Sequence, residues 1–507
     1  MPLEMNELVA ELNKPAVDFT REDILKIVKK FDVEIINFRY TGIDGQLKEL
    51  KLPVNNKKYL QKILVEGERV DGSSLFKKIV EVGFSDLYVV PMYRLAFLNP
   101  FHDGVLDICC QMYDKNGDLS KFVPENILYN SYEKFKNETG YTFEALGELE
   151  FFIIYDNDDP RFPSKTQKNY HVSSPYAKNG ELINDITTTV ARMTSSVKYC
   201  HSEVGYIDNM RSRCPELDGK RLEQYELEFL PTDIHLMSYY LPMAKWAIRN
   251  VAYEHGANVT FAPKIREGAA GNGLHVHMQI SKNGVNQMTG DDGKLSKDAR
   301  KLIGGLIGHT QSLVAFGNTS ASSFFRLVPN QEAPTKVCWS DSNRSSLIRV
   351  PLGWNLKKDL EKLANPKEKD EKPMIDGRQT VEIRNADSTA YVGLLLAGLT
   401  LAANEGLKDD KSLDVAEKHY VVGNIFKDEK LLNSLPSLPA NCGEAAIKIK
   451  EDRKFYEADG IFPETIIDYI IHHLNCEQNY WEDIHKLPEN EMREKVVDLL
   501  HKDIHIC

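Results

Sequence analysis

The sequence predicts an α+β protein in which a small unit precedes a large one. Three observations lead there. The chain has 507 residues, more than a single core usually organises. Roughly the first 120 residues read as a helix followed by a hairpin. Beyond them, strands with charged period-two motifs alternate with amphipathic helices.

Apolar Ile24, Leu25, Ile27, Val28 and Phe31 recur at helical spacing over Arg21 to Phe31, with Thr20 as N-cap. Val33 to Tyr40 reads as a strand, and Ile43-Asp44-Gly45-Gln46 as a turn. Gln46 to Leu52 alternates and returns as its partner. Pro124 to Asn137 opens the second unit as an amphipathic helix, and Phe143 to Tyr155 follows as a strand. Further helices are expected at Ile183–Cys200, Leu241–His255, Lys297–Gly317 and Tyr391–Gly406. The charge-rich segments Asp208–Arg221 and Asn355–Arg378 read as solvated loops. The chain shows no internal repeat, heptad pattern or low-complexity tract.

Bulk properties narrow the function. A hydrophobic fraction of 42% with 27% charged residues is ordinary for a globular protein. The net charge of -12 argues against nucleic acid as the main partner. None of the eight cysteines forms a Cys-x-x-Cys pair, so a zinc-finger reading fails. The N-terminus is polar and acidic, without a secretory leader pattern, and Val392 to Ala403 is too short to span a bilayer. The expectation is a reduced, cytoplasmic setting with no membrane partner.

Four motifs share one layout: Glu148-Leu149-Glu150, Glu226-Leu227-Glu228, His275-Val276-His277 and Glu382-Ile383-Arg384. On a strand, alternate side chains share a face. Each pair therefore points into the same space. Packed carboxylates need a positive partner, and hard divalent cations choose carboxylate oxygens. Glu148, Glu150, Glu203, Glu226 and Glu382 supply five negative charges, and His275 a neutral nitrogen. Two divalent ions nearly balance that set, and the oxygen-rich ligands favour Mg2+ or Mn2+ over zinc.

Arginines cluster in the same part of the chain, at Arg326, Arg344, Arg349 and Arg384. Guanidinium forks suit carboxylate and phosphate. Arginines beside two metals imply a highly anionic ligand, and phosphoryl transfer fits. There is no Gly-x-x-x-x-Gly-Lys-Ser/Thr loop, and neither His-Arg-Asp nor Asp-Phe-Gly occurs.

Taken together, these segments resemble the glutamine synthetase family, nearer its bacterial and archaeal type. The matching pieces are Val70-Asp71-Gly72-Ser73-Ser74, Gly147 to Phe152, His201-Ser202-Glu203-Val204, Gln224-Tyr225-Glu226, Gly271 to Met278, Arg326 to Pro334, Asn343 to Pro351 and Val381 to Arg384. They stand in the family's order, from about Phe31 to the end of the chain.

The resemblance implies a β-grasp domain over 1–122 and, over 123–507, a catalytic domain of antiparallel strands flanked by helices. Phosphagen kinases share that broad architecture. It implies that Glu150, Glu203 and Glu226 hold one metal, and that Glu148, His275 and Glu382 hold the other. It makes His277, Arg344 and Arg349 phosphate-binding groups, and Gly271, Arg326 and Arg384 substrate contacts. Glu332 resembles a flap acid, and Asp71 the ammonium-binding group supplied by a neighbouring subunit. The implied reaction joins glutamate and ammonium with ATP as co-substrate, through γ-glutamyl phosphate. The implied assembly is a homo-oligomer of stacked hexameric rings with sites between subunits. Ala270 stands where the family has asparagine, and Gln279 where it has serine. A γ-glutamylamine ligase using a polyamine, ethanolamine or another amine therefore remains the alternative.

Overall fold

Asp23 anchors the first predicted helix, accepting from the Thr20 backbone N–H at 2.9 Å and from its hydroxyl at 2.7 Å. In this computed structural model, which describes residues 4–80, 85–156, 161–328, 333–353, 358–370, 377–423 and 429–506, that helix runs Arg21–Lys30. Strands β1 (Ile35–Thr41) and β2 (Leu47–Pro53) form the expected hairpin, with Ile36 opposite Leu52. Gly45 closes its turn at a φ of 71°, in the region where a Cβ is disfavoured. β3 (Glu68–Asp71), β4 (Asp86–Leu98) and β5 (Val105–Tyr113) complete a five-stranded sheet in the order β2-β1-β5-β4-β3. The β1–β5 pair is parallel and the others are antiparallel. Ile24 and Ile27 of helix Arg21–Lys30, and Leu60 and Ile63 of helix Lys57–Glu66, bury against Ile36, Phe38 and Ile108.

The large sheet has ten strands. They are β6 (Thr142–Tyr155), β7 (Val197–Ile207), β8 (Arg221–Phe229), β9 (Thr232–Asp233), β10 (Asn258–Thr260), β11 (Leu274–Lys282), β12 (Val285–Asn286), β13 (Trp339–Asp341), β14 (Ile348–Val350) and β15 (Val381–Ile383). The main path is β13-β14-β15-β11-β6-β8-β7, with β9 and β10 on β6 and β12 on β11. The expected antiparallel pairing holds along it except between β13 and β14, which run parallel.

Alternation along these strands separates core from site. Phe143, Leu149, Phe151, Leu227, Val276 and Ile383 pack under helices Pro124–Thr139, Ile234–Glu254, Lys297–Gly317 and Val392–Lys408. Each such side chain contributes about 1.5–3 kcal/mol on burial. Their neighbours Glu148, Glu150, Glu226, His275 and Glu382 therefore face the other way.

Several expectations change, and the helix predicted from Leu241 begins at Ile234. The helix predicted to reach Cys200 is Gly180–Thr194, because Ser195 adopts a left-handed C-cap and Cys200 lies in β7. Asp208–Arg221 is not simply a solvated loop. Met210 and Leu217 are buried with Phe152, Ile154 and Ile504, and Arg213 pairs with Asp498. The charge-rich composition hid those two apolar anchors. Of the second such segment, residues 358–370 are mostly exposed, as expected, but Leu360–Ala364 forms a short helix capped by Asp359 rather than loop, and part of the segment lies outside the described residues. No helix among the described residues is long and apolar enough to cross a membrane.

Candidate active site

Register brings the charged motifs face to face. Glu148 of β6 stands opposite both His275 of β11 and Glu228 of β8, while Glu150 stands opposite Glu226. His277 stands opposite Glu382, which stands opposite Arg349. Glu148, Glu150, Glu226, His275, Arg349 and Glu382 surround a cavity of about 960 Å³ that Glu203, Gly271, Arg326, Arg344 and Arg384 also line, whereas His277 and Glu228 do not line it.

The contacts are close. Glu148 takes His275 Nδ1 on one oxygen and His277 Nε2 on the other, each at 2.8 Å. His277 is anchored behind by Thr380 Oγ1 at 2.9 Å. Glu150 accepts the Gly273 N–H at 2.5 Å. Glu382 lies 2.8 Å from Arg349 Nη1 and 2.9 Å from Arg384 Nε. Arg326 donates to the Asn385 carbonyl at 2.8 Å and reaches His275 Nε2 at 3.3 Å. Gly273 is needed for that approach: a Cβ there would stand 2.5 Å from Arg326 Nη2. The Gly271 carbonyl is held by Gln224 Nε2 at 2.9 Å.

Crowded carboxylates shape the electrostatics. Burial, reinforced by Glu148, Glu150, Glu203 and Glu228, drives the Glu226 carboxyl well above its ordinary range. Burial also opposes charge on Glu148, but His277 and His275 outweigh it and hold that carboxyl well below its usual range. One buried oxygen of Glu228 has no hydrogen-bond partner, while the other takes Lys198 Nζ at 2.7 Å. Three groups bring ligand atoms within 4.8 Å of one another: Glu148, Glu226 and His275; His201, Glu203 and Glu226; and Glu148, Glu228 and His277. Mutually repelling acids and an orphaned carboxylate oxygen fit a hard divalent cation.

Three expected residues stand apart, the first being His277, which is buried with its ring nitrogens on Thr380 and Glu148 and does not line the cavity. Asp71 is exposed at the end of β3 and does not line this cavity. The hydroxyls of Ser74 and Ser73 hold its carboxyl well below the usual range. Glu332 lies outside the described residues. Sequence reasoning gave no role to His201, whose Nε2 is 3.2 Å from Glu226 and whose ring centroid lies 4.2 Å from that of His171 at a tilt of 40°. It stands two residues before Glu203, the same period-two spacing that marked the other pairs. Tyr170 and His171 enter the cavity from a loop, with no local pattern to announce them.

The model of the glutamine synthetase catalytic domain matches residues 122–494, and that of the glutamine synthetase beta-Grasp domain matches 32–115. The chain belongs to the glutamine synthetase family. Among curated relatives, glutamine synthetase of Clostridium saccharobutylicum is 29% identical over 453 residues, covering 87% of this chain and 92% of its own. That of Methanosarcina mazei is 27% identical over 474 residues, covering 92% and 94%. Among solved structures, Plasmodium falciparum glutamine synthetase superposes with a TM-score of 0.73 at 21% identity, covering 92% of this chain and 97% of that one. Ligand-free GmaS gives 0.72 at 19% identity, covering 93% and 98%. The β-grasp and catalytic architecture is thus that of glutamine synthetases.

Proposed function

We propose that this member of the glutamine synthetase family is a glutamate–ammonia ligase. It activates the γ-carboxylate of glutamate with ATP and forms glutamine. The observation that carries this reading is the convergence of Glu148, Glu150, Glu203, Glu226, His275 and Glu382 on one cavity wall that Arg326, Arg344, Arg349 and Arg384 share. The reading takes 1–122 and 123–507 as the two domains, and a cytoplasmic, ring-shaped homo-oligomer of two stacked hexamers as the working form.

Glu150, Glu203 and Glu226 would hold one Mg2+ or Mn2+, and Glu148, His275 and Glu382 the other. When bound, these ions neutralise the phosphates and polarise the transferring group. The chain's own residues do the rest. Arg344, Arg349 and His277 grip phosphate oxygens, and Arg326, Arg384 and the Gly271 backbone orient glutamate. A free carboxylate is a poor electrophile with a poor leaving group. Phosphorylation by ATP makes γ-glutamyl phosphate, and the amine then displaces phosphate. Only the free amine is nucleophilic, so Asp71 from an adjacent copy takes the proton of ammonium. Glu332 closes over the intermediate and keeps water out.

Buried Ala270 on the cavity wall, with the Tyr170 and His171 rings nearby, favours a second reading. In it an organic amine replaces ammonium, giving a γ-glutamylamine ligase. Turnover on ammonium, ethanolamine and a polyamine, with product identification, separates the two. A strong preference for ammonium supports the first reading, and a strong preference for an organic amine overturns it.

A further inference from the structure

Away from the acidic cavity, a recess of about 400 Å³ opens beside helix Glu7–Leu12, strand β4 and the C-terminal end of helix Gly180–Thr194. Arg94 lines it. β4 breaks its register with β5 between Pro91 and Ala96, and Arg94 lies in that break. Irregularities of this kind re-aim side chains.

The Arg94 guanidinium is half-buried, and its polar contact is with the His235 ring, at 3.4 and 3.5 Å. Burial and the facing guanidinium hold His235 down to about 3, so the ring is neutral and adds no charge of its own. Among the described residues no carboxylate stands within ion-pair distance of Arg94. Lys14, on the same wall, is paired with Asp23 at 2.8 Å. Glu4 is the one carboxylate among the described lining residues, and it is exposed. A partly exposed guanidinium without a carboxylate partner leaves its fork open to an anionic ligand.

We propose that this recess is a second binding site, for a small organic carboxylate that Arg94 grips through its fork. Planar guanidinium matches carboxylate in two-point geometry. The volume lies within the range of small-molecule pockets, about 300–1,000 Å³. Asn13 and Ser195 on the wall offer further hydrogen-bonding groups. Ser195 ends its helix two residues before β7, the strand that carries His201 and Glu203. An occupant thus sits at the root of a strand that builds the acidic cavity.

The test is calorimetric titration of the full chain with succinate, in the presence of saturating glutamate, with inorganic phosphate as a parallel arm. Arg94→Ala is expected to weaken succinate binding roughly tenfold or more. Ala10→Trp fills the recess while leaving Arg94 in place, and is expected to abolish binding with activity in the absence of succinate unchanged. Ala10→Trp alone decides the matter if the arginine variant does not fold. The proposal is overturned by no saturable succinate binding to the wild type. Succinate affinity equal to wild type in the Ala10→Trp variant overturns it too, as does binding of phosphate with succinate excluded. None of these outcomes depends on which amine the acidic cavity uses.

Discussion

Glu148 holds two imidazoles at once, His275 Nδ1 on one oxygen and His277 Nε2 on the other, both at 2.8 Å. That carboxylate links β6 to β11 at the centre of the cavity wall. It lies among acids that repel one another, so the wall is organised around charge rather than around packing.

Glu150→Ala is expected to lower turnover about a hundredfold or more, the usual cost of losing a group that organises transition-state charge. The strand should survive, because Leu149 and Phe151 supply its buried face. Steady-state kinetics with a melting curve checks both halves. Near-normal turnover in a folded variant would contradict the assignment.

Mn2+ or Mg2+ should raise the melting temperature of the wild type. A ligand at a hundred times its Kd adds about 2.7 kcal/mol. Glu226→Ala should lose most of that increment, since Glu226 belongs to two of the three ligand groups. An unchanged metal-dependent shift would place the cation elsewhere.

Asp387 is wholly buried and accepts the Asn318 amide at 2.8 Å. The same amide holds the Asn385 carbonyl, which also accepts Arg326. Asp387→Ala should therefore raise KM for glutamate more than it lowers kcat. Leaving the buried amide unsatisfied should also cost about 1–3 kcal/mol of stability. Asp387→Asn should fall between the wild type and Asp387→Ala.

Gly273→Ala sets a methyl against Arg326 and His275, at a cost of about 1–3 kcal/mol for overpacking. Turnover should fall while the mutant still folds. Glutamate saturation curves read the effect directly.

His309 lies 2.7 Å from Asp452 and 3.4 Å from Glu405. Burial opposes its charge, but those two acids win and raise it from 6.5 to about 9. A raised histidine stabilises the fold fully below its unfolded value and loses that contribution as pH rises through its folded one. The melting temperature should therefore decline between about pH 6.5 and pH 9. His309→Gln should flatten that decline.

Much of the cavity was legible because its residues obey a period of two. Glu148 and Glu150, Glu226 and Glu228, and His275 and His277 each announce a polar face, while Leu149, Leu227 and Val276 announce the core. His201 obeyed the same rule but was given no role. Tyr170 and His171 had no such signature, because tertiary folding alone delivers their loop to the cavity. Residues 208–220 misled through composition, since two apolar side chains, Met210 and Leu217, decide where that segment packs. Helix Gly180–Thr194 stops early because Ser195 takes a left-handed turn that glycine more often marks.

The most direct measurement follows the oxygen. Glutamate carrying a heavy-oxygen label in its γ-carboxylate is turned over with ATP and an amine, and the released phosphate is analysed by mass. Transfer of the label from glutamate to phosphate is the predicted result, because the carboxylate itself attacks the γ-phosphoryl group. Phosphate released without the label, at full amide yield, would contradict the account.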